Sequence, residues 1–327
     1  MRVGVIGPFD PDSFADNIAD CLPDLGVEVV RLGSVRGRYP KRLDQAIEVL
    51  SRWRPDFDAR FQRRLAERAV DEGCDVVICV EAALLPKTVQ RIRASGVRTI
   101  MWFPDHLANL DRQLMLMADY HRVYFKDPLL VDRIRALTDL PVAYLPEACN
   151  PHWHFPRGEP ARIREIIVAG NMYPMRVRLL DRLHADGIPL RLYGARFASW
   201  IPQRPVMARH AGKAVVRQEK AEVFRSASGV LNNLNPSELA SVNCRLFEAA
   251  GCGAAVVCEA RPALQECFDI GKEIVAFRTY DELLVLCHSL LEDPERVREL
   301  GDAAAKRAHA EHTYQLRLRS LLEDCAA

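Results

Sequence analysis

Glu165-Ile166-Ile167-Val168-Ala169-Gly170-Asn171-Met172-Tyr173 opens the stretch that decides the fold. A β-branched run meets a glycine, and a helix-period segment, Met175–Ala185, follows at once. A strand that turns through glycine into a helix is the first part of a βαβ unit. Working downstream, Leu190–Tyr193 reads as a strand ending at Gly194, and Ala214–Val216 as a further short strand. Ala221–Ser226 is a helix, Gly229–Leu234 a strand, and a helix runs from about Ser241 to Ala250. Strands at Ala254–Cys258 and Glu273–Phe277 precede three helices, Tyr280–Leu291, Pro294–Ala310 and Tyr314–Cys325.

Upstream the same rhythm appears. Strands are expected at Arg2–Gly7, Val27–Leu32, Asp75–Val80, Arg98–Trp102, His121–Phe125 and Val142–Tyr144. Helices are expected at Ser13–Leu25, Lys87–Ser95 and Pro128–Leu137, with one or two more within Lys41–Glu72. Strands alternating with helices imply an α/β fold with mostly parallel sheets. Pro146, Pro151, Pro156 and Pro160 interrupt the pattern and mark a linker. The expected domains are 1–150, 161–310, and a C-terminal helix, 311–327, packing back on the first.

Composition narrows the function classes. At 327 residues, two domains are the prior. Lys and Arg number 45 against 44 Asp and Glu, so the chain lacks the basic excess of a nucleic-acid binder. No apolar run is long enough to span a bilayer, and Met1–Gly7 lacks a signal-peptide core, so the expected location is cytoplasmic. The ten cysteines form no Cys-x-x-Cys pair or zinc spacing and read as structural thiols. A dinucleotide fingerprint is absent after the first strand, and so is a P-loop. From Arg31 to Arg68, eleven basic residues face five acidic ones. That bias suits an anionic acceptor or a peripheral membrane contact, or simply a solvated helix face.

The stretch Asn232 to Glu266 carries the most chemistry. A strand enters a polar loop and then a helix ending at Gly251 and Gly253. Amides at a helix start suit an anion such as a diphosphate. Asn243 and Arg245 fall in the first turn, and Glu248, one turn on, could accept from both hydroxyls of a ribose. The alternative is a capped amphipathic helix with a solvated Arg–Glu pair. Gly170 would let a phosphate approach the backbone, and Arg176 and Arg178 follow it.

Asn243-x-Arg245-x-Phe247-Glu248-x-x-x-Cys252-Gly253 resembles the donor-site segment of the CgeB-like (spore maturation protein) glycosyltransferases. Phe268, Gly271, Glu273, Phe277 and Tyr280-Asp281-Glu282-Leu283 continue the likeness, as does His312-Thr313-Tyr314 with Arg317. Val168 to Tyr173, Leu192-Tyr193-Gly194, Thr99 to Asp105 and Tyr144 to Ala148 resemble further segments, so the similarity spans roughly residues 75 to 322. The resemblance implies a GT-B glycosyltransferase: two Rossmann-like domains with parallel sheets facing an interdomain cleft. Its donor would be a nucleotide-sugar, UDP favoured, held by Gly170, Asn171, Arg176, Tyr193, Lys213, Asn243, Arg245 and Glu248. Related retaining enzymes carry two glutamates eight positions apart; the earlier position here is Ala240, with Glu238 out of register.

On the acceptor side, Asp105 and His106 follow a strand end and are candidates for the base that takes the acceptor's proton; a helix cap is the alternative. The acceptor would be a small molecule, a glycan or a protein. Asp10-Pro11-Asp12 and Asp56-Phe57-Asp58 read as helix starts in preference to metal-binding triplets, and His152 and His154 lack a third ligand nearby. No cofactor and no metal are therefore expected. Two rival readings are a nucleotide-sugar epimerase and a non-catalytic nucleotide-sugar-binding or assembly protein.

Overall fold

A computed structural model of the chain describes residues 1–35, 55–110, 113–158 and 161–326. The strands are β1 Arg2–Ile6, β2 Glu28–Gly33, β3 Val76–Cys79, β4 Arg98–Phe103, β5 Arg122–Phe125, β6 Val142–Tyr144, β7 Ile163–Ala169, β8 Leu190–Tyr193, β9 Ala227–Asn232, β10 Val256–Glu259 and β11 Val275–Phe277. The α-helices are α1 Phe14–Cys21, α2 Pro55–Asp71, α3 Pro86–Ala94, α4 Pro128–Leu137, α5 Pro174–Ala185, α6 Arg217–Ser226, α7 Cys244–Gly251, α8 Leu264–Cys267, α9 Tyr280–Glu292, α10 Pro294–Glu311 and α11 Tyr314–Ala326. They divide into two compact units, 1–146 with 315–327, and 147–314.

The first unit holds a parallel sheet in the order β2-β1-β3-β4-β5-β6. Its central strand β3 is buried throughout, as a strand covered on both faces requires. Ser13 caps α1 by accepting from the Asp16 amide, and Asp127 caps α4 by accepting from the amides of Leu129 and Leu130. The last helix belongs to this unit: the Tyr124 hydroxyl donates to Asp324 at 2.7 Å, and Gln315 donates to Asp24 at 2.7 Å.

The second unit holds a parallel sheet in the order β11-β10-β9-β7-β8. Side-chain alternation splits its core in two. Ile167, Ala169, Val230, Val256 and Cys258 pack on one face with Leu246, Phe247 and Ala304. Ile166, Val168, Leu231 and Val257 pack on the other with Leu180, Leu183, Leu290 and Leu300. In each unit the second strand in sequence lies outside the first and the third on its other side. Strand order therefore reverses between β1 and β3, and again between β7 and β9, and such reversals are where parallel α/β sheets take ligands.

Several expectations need correction. The short strand expected at Ala214–Val216 does not form; His210 instead bridges Leu192, and the Ala211 amide donates to Leu192. α7 begins at Cys244, because the Ser241 hydroxyl is turned onto the Glu238 carboxylate. α6 begins at Arg217, four residues before Ala221, and α8 was not expected at all. Of the basic region, Arg60, Arg63 and Arg64 are exposed on α2, whereas Arg36, Arg38, Lys41 and Arg42 lie outside the described residues. The side chains of Asp56 and Asp58 lie outside them too. No described helix is long and apolar enough to cross a membrane.

Candidate functional site

The β7/β9 reversal is built on two glycines. Gly170, φ +127°, donates its amide to the Tyr193 carbonyl at 2.9 Å, joining the ends of β7 and β8. Gly194 has φ +139°, and a Cβ there would stand 2.2 Å from the Gly170 carbonyl oxygen. Both positions need a conformation that other residues rarely adopt, and the second also needs the missing side chain. The loop that follows β7 is thereby held close to the sheet.

Arg176, in the first turn of α5, lies beside this loop at 6% exposure. Its Nε donates to Asn233 Oδ1 at 2.9 Å, its Nη2 to the Asn233 carbonyl at 2.7 Å, and its Nη1 to the Asn171 carbonyl at 2.8 Å. The guanidinium also lies over the Tyr173 ring, 4.6 Å from its centroid. Asn233 completes the network by donating to the Tyr173 hydroxyl at 2.9 Å. Burial lowers the Arg176 pKa; Tyr173 opposes that shift, and the neighbouring Arg245 cation adds to it.

Arg245 approaches from the first turn of α7. A Cβ built on Gly170 would lie 3.0 Å from Arg245 Nη2 and 3.2 Å from Arg176 Nη1. Two cations thus converge on one glycine turn, an arrangement that favours an anion. Asn243, at the N-cap of α7, makes no capping bond, and its buried Oδ1 has no hydrogen-bond partner. Asn171 is exposed in the same loop.

Glu248 is buried one turn beyond Arg245. Its Oε2 lies 3.6 Å from Arg245 Nη1, and its Oε1 lies 3.0 Å from Lys220 Nζ. The Lys220 and Glu248 side chains are 7% and 6% exposed. Lys220 was missed in the sequence, yet a signal exists. It shares the inward face of α6 with Ala221 and Phe224, where an apolar residue is the norm. Asn233 was missed as well; nothing in its local pattern separates it from Asn232.

Tyr193 and Lys213 meet this turn through their backbone carbonyls, while the side chains of the remaining candidates are engaged elsewhere. Lys213 is 58% exposed and pairs with Glu219, which raises its pKa. Tyr193 is buried within the apolar cluster around Phe224 and Phe247. Ala240 is buried, and Glu238, also buried, accepts from Ser241. In the first unit, Asp105 Oδ1 accepts from the His106 amide at 2.8 Å and from Asn109 Nδ2 at 2.9 Å. His106 Nδ1 accepts from the Ala108 amide at 3.1 Å, capping the short turn Leu107–Asn109. In the stretch between β6 and β7, His154 is buried and its Nδ1 accepts from the Asn150 amide, whereas His152 is exposed.

Known proteins share the fold. Residues 176–323 match a family model described as "Glycosyl transferase-like". Among solved structures, sucrose-phosphate synthase from Thermosynechococcus elongatus superposes with a TM-score of 0.70 at 13% identity, covering 99% of each chain. Anabaena HepE in complex with UDP gives 0.67 at 12% identity, again over 99% of each chain. HepE in complex with UDP-glucose gives 0.66 at 12% identity, over 100% of this chain and 99% of that one. Comparison with curated proteins by sequence gives no match. The fold is therefore that of two Rossmann-like units shared with glycosyltransferases of the GT-B type, and the segment 176–323 is similar to the glycosyl transferase-like family.

Proposed function

We propose that the chain transfers a sugar from a nucleotide diphosphate donor, UDP-linked by preference, to a hydroxyl-bearing acceptor without a metal. The observation that carries this reading is the convergence of Arg176 and Arg245 on the Gly170 turn at the β7/β9 reversal. The diphosphate would lie against Gly170 and Asn171, with Arg245 and Asn243 as donors. Arg176 would act at one remove, holding the Asn171 loop and adding its field. As the sugar departs, negative charge grows on the diphosphate, and fixed cations stabilise that charge without reorganising. This supplies the role that a metal ion fills elsewhere. Glu248 would accept from the ribose hydroxyls.

Asp105 would take the acceptor proton, with His106 beside it. Glu238 is turned onto Ser241 and Ala240 carries no carboxylate, so neither supplies the second glutamate of related retaining enzymes. The complexes of HepE with UDP and UDP-glucose support the choice of donor. The resemblance of Asn243 to Gly253 to the CgeB-like branch is in accord with it.

The test is thermal unfolding against UDP, dTDP, GDP, CDP and NAD, first without metal and then with Mg²⁺. A ligand at about 100 times its Kd adds about 2.7 kcal/mol and raises the midpoint by several degrees. A rise with one nucleoside diphosphate in the absence of metal is expected, followed by release of that diphosphate from its sugar in a turnover assay. No rise with any of the five sinks the reading.

A further inference from the structure

The Lys220–Glu248 pair is expensive for the fold. Both side chains are almost fully withdrawn from water, on helices that precede and follow β9. Well-packed apolar residues in place of such a pair are often neutral or stabilising. Lys220 shares its helix face with Ala221 and Phe224, and a Leu or Met would suit that face. Stability alone therefore does not account for the lysine.

Geometry suggests what does. Lys220 Nζ holds Glu248 Oε1 at 3.0 Å, within hydrogen-bonding range. Arg245 Nη1 stands 3.6 Å from the other oxygen, an ion pair longer than a hydrogen bond. A carboxylate offers about four lone-pair sites, and a lysine anchored on one oxygen restricts the direction in which the group can face. We propose that Lys220 is a positioning residue: it fixes the Glu248 carboxylate in the orientation that accepts from the ribose hydroxyls, and so sets the preference for ribonucleotide over 2′-deoxyribonucleotide donors. This rests on the donor-site reading above.

The experiment measures calorimetric affinities for UDP, 2′-deoxy-UDP and inorganic pyrophosphate with the full chain and with Lys220→Met, Lys220→Arg, Lys220→Gln and Glu248→Gln. A hydrogen bond to a charged group predicts that the wild type prefers UDP by about tenfold or more. Lys220→Met is expected to bring that ratio close to one while pyrophosphate affinity holds. Lys220→Arg retains the preference, and in the Glu248→Gln background Lys220→Met changes the ratio no further. Lys220→Gln still donates a hydrogen bond but carries no charge; it covers the case in which Met leaves the chain unfolded, and its ratio is expected between the two. A preserved ratio in Met or Gln, with all three ligands weakened alike, overturns the proposal and makes Lys220 a phosphate ligand or a structural group. A wild-type ratio of one also overturns it, while UDP binding leaves the donor site standing. No nucleotide binding at all removes the donor-site reading and the proposal with it.

Discussion

Arg176 Nε donates to Asn233 Oδ1 at 2.9 Å while the same guanidinium donates to the Asn233 backbone carbonyl at 2.7 Å. One side chain from the helix after β7 thus satisfies both acceptors of a residue that follows β9, across the line where strand order reverses. With Asn171 as its third acceptor, Arg176 ties together the two loops that form the turn. An arginine in the first turn of a helix invites a reading as a phosphate ligand. Here each of its three nitrogens already donates to the protein.

That difference is measurable. Arg176→Ala removes three hydrogen bonds, with the Tyr173 hydroxyl still donating to the Asn233 carbonyl at 3.3 Å, and is expected to cost about 3 kcal/mol, lowering the unfolding midpoint by roughly 10 °C. Scanning calorimetry of the unliganded protein reads this directly. Unchanged stability with lost nucleotide affinity would make Arg176 a ligand group and not a brace.

Gly194→Ala should be more damaging than Gly170→Ala. The new Cβ at 194 meets a backbone oxygen at 2.2 Å, whereas at 170 it meets the flexible tips of two arginines. Both also carry the cost of a left-handed conformation, about 1–3 kcal/mol. Soluble yield and midpoint should fall most for Gly194→Ala. Equal tolerance of both substitutions would mean that the two loops separate readily.

Arg245→Ala should separate phosphate from nucleoside. Loss of a charge-assisted contact costs roughly 1.5–3 kcal/mol, or about ten- to a hundredfold in UDP affinity. Uridine, which lacks the diphosphate, should bind the variant and the wild type alike. Titration calorimetry with the two ligands distinguishes this from a general loss of the site.

Asp105→Asn keeps an oxygen able to accept from the His106 amide and Asn109, so the turn should persist. Turnover is expected to drop by about 10²–10⁴ if Asp105 takes the acceptor proton. UDP affinity, which the proposed donor site places in the other unit, should not change. Undiminished turnover would return Asp105 to the role of a turn cap.

Burial pushes the thiols of Cys79, Cys258 and Cys287 up to about 12. In the unfolded chain they ionise near 8.5, so between these values the unfolded state holds fewer protons. Stability should be fully present below about pH 8.5 and decline as pH rises toward 12. Denaturant midpoints at a series of alkaline pH values test the sign, and thiol reagents at pH 8 should leave the three cysteines unmodified until the chain unfolds.

The strand–helix alternation was legible because buried parallel strands are β-branched runs and their helices carry amphipathic periods. Pro128–Leu137, Val142–Tyr144 and Leu190–Tyr193 were placed to the residue. Local pattern failed where a long-range partner decides. Nothing in the sequence indicates that the Gly194 amide will bond to the Lys213 carbonyl, which runs that segment alongside β8 before Ala214 is reached. The same limit applies to the site. Gly170, Arg245 and Glu248 stand out through the turn and the helix start that carry them. The engagement of Arg176 by Asn233 depends on a residue 57 positions away. Lys220 was visible only as a charge on an apolar helix face.

The two compact units differ in chain order. The second is one uninterrupted segment, 147–314, whereas the first is completed only by residues 315–327. Tyr124 therefore waits for a partner 200 positions further along, Asp324. The first unit can close only after its last helix, α11, has been made. The two ends of the chain are thereby held in one unit, and the second unit is inserted between them.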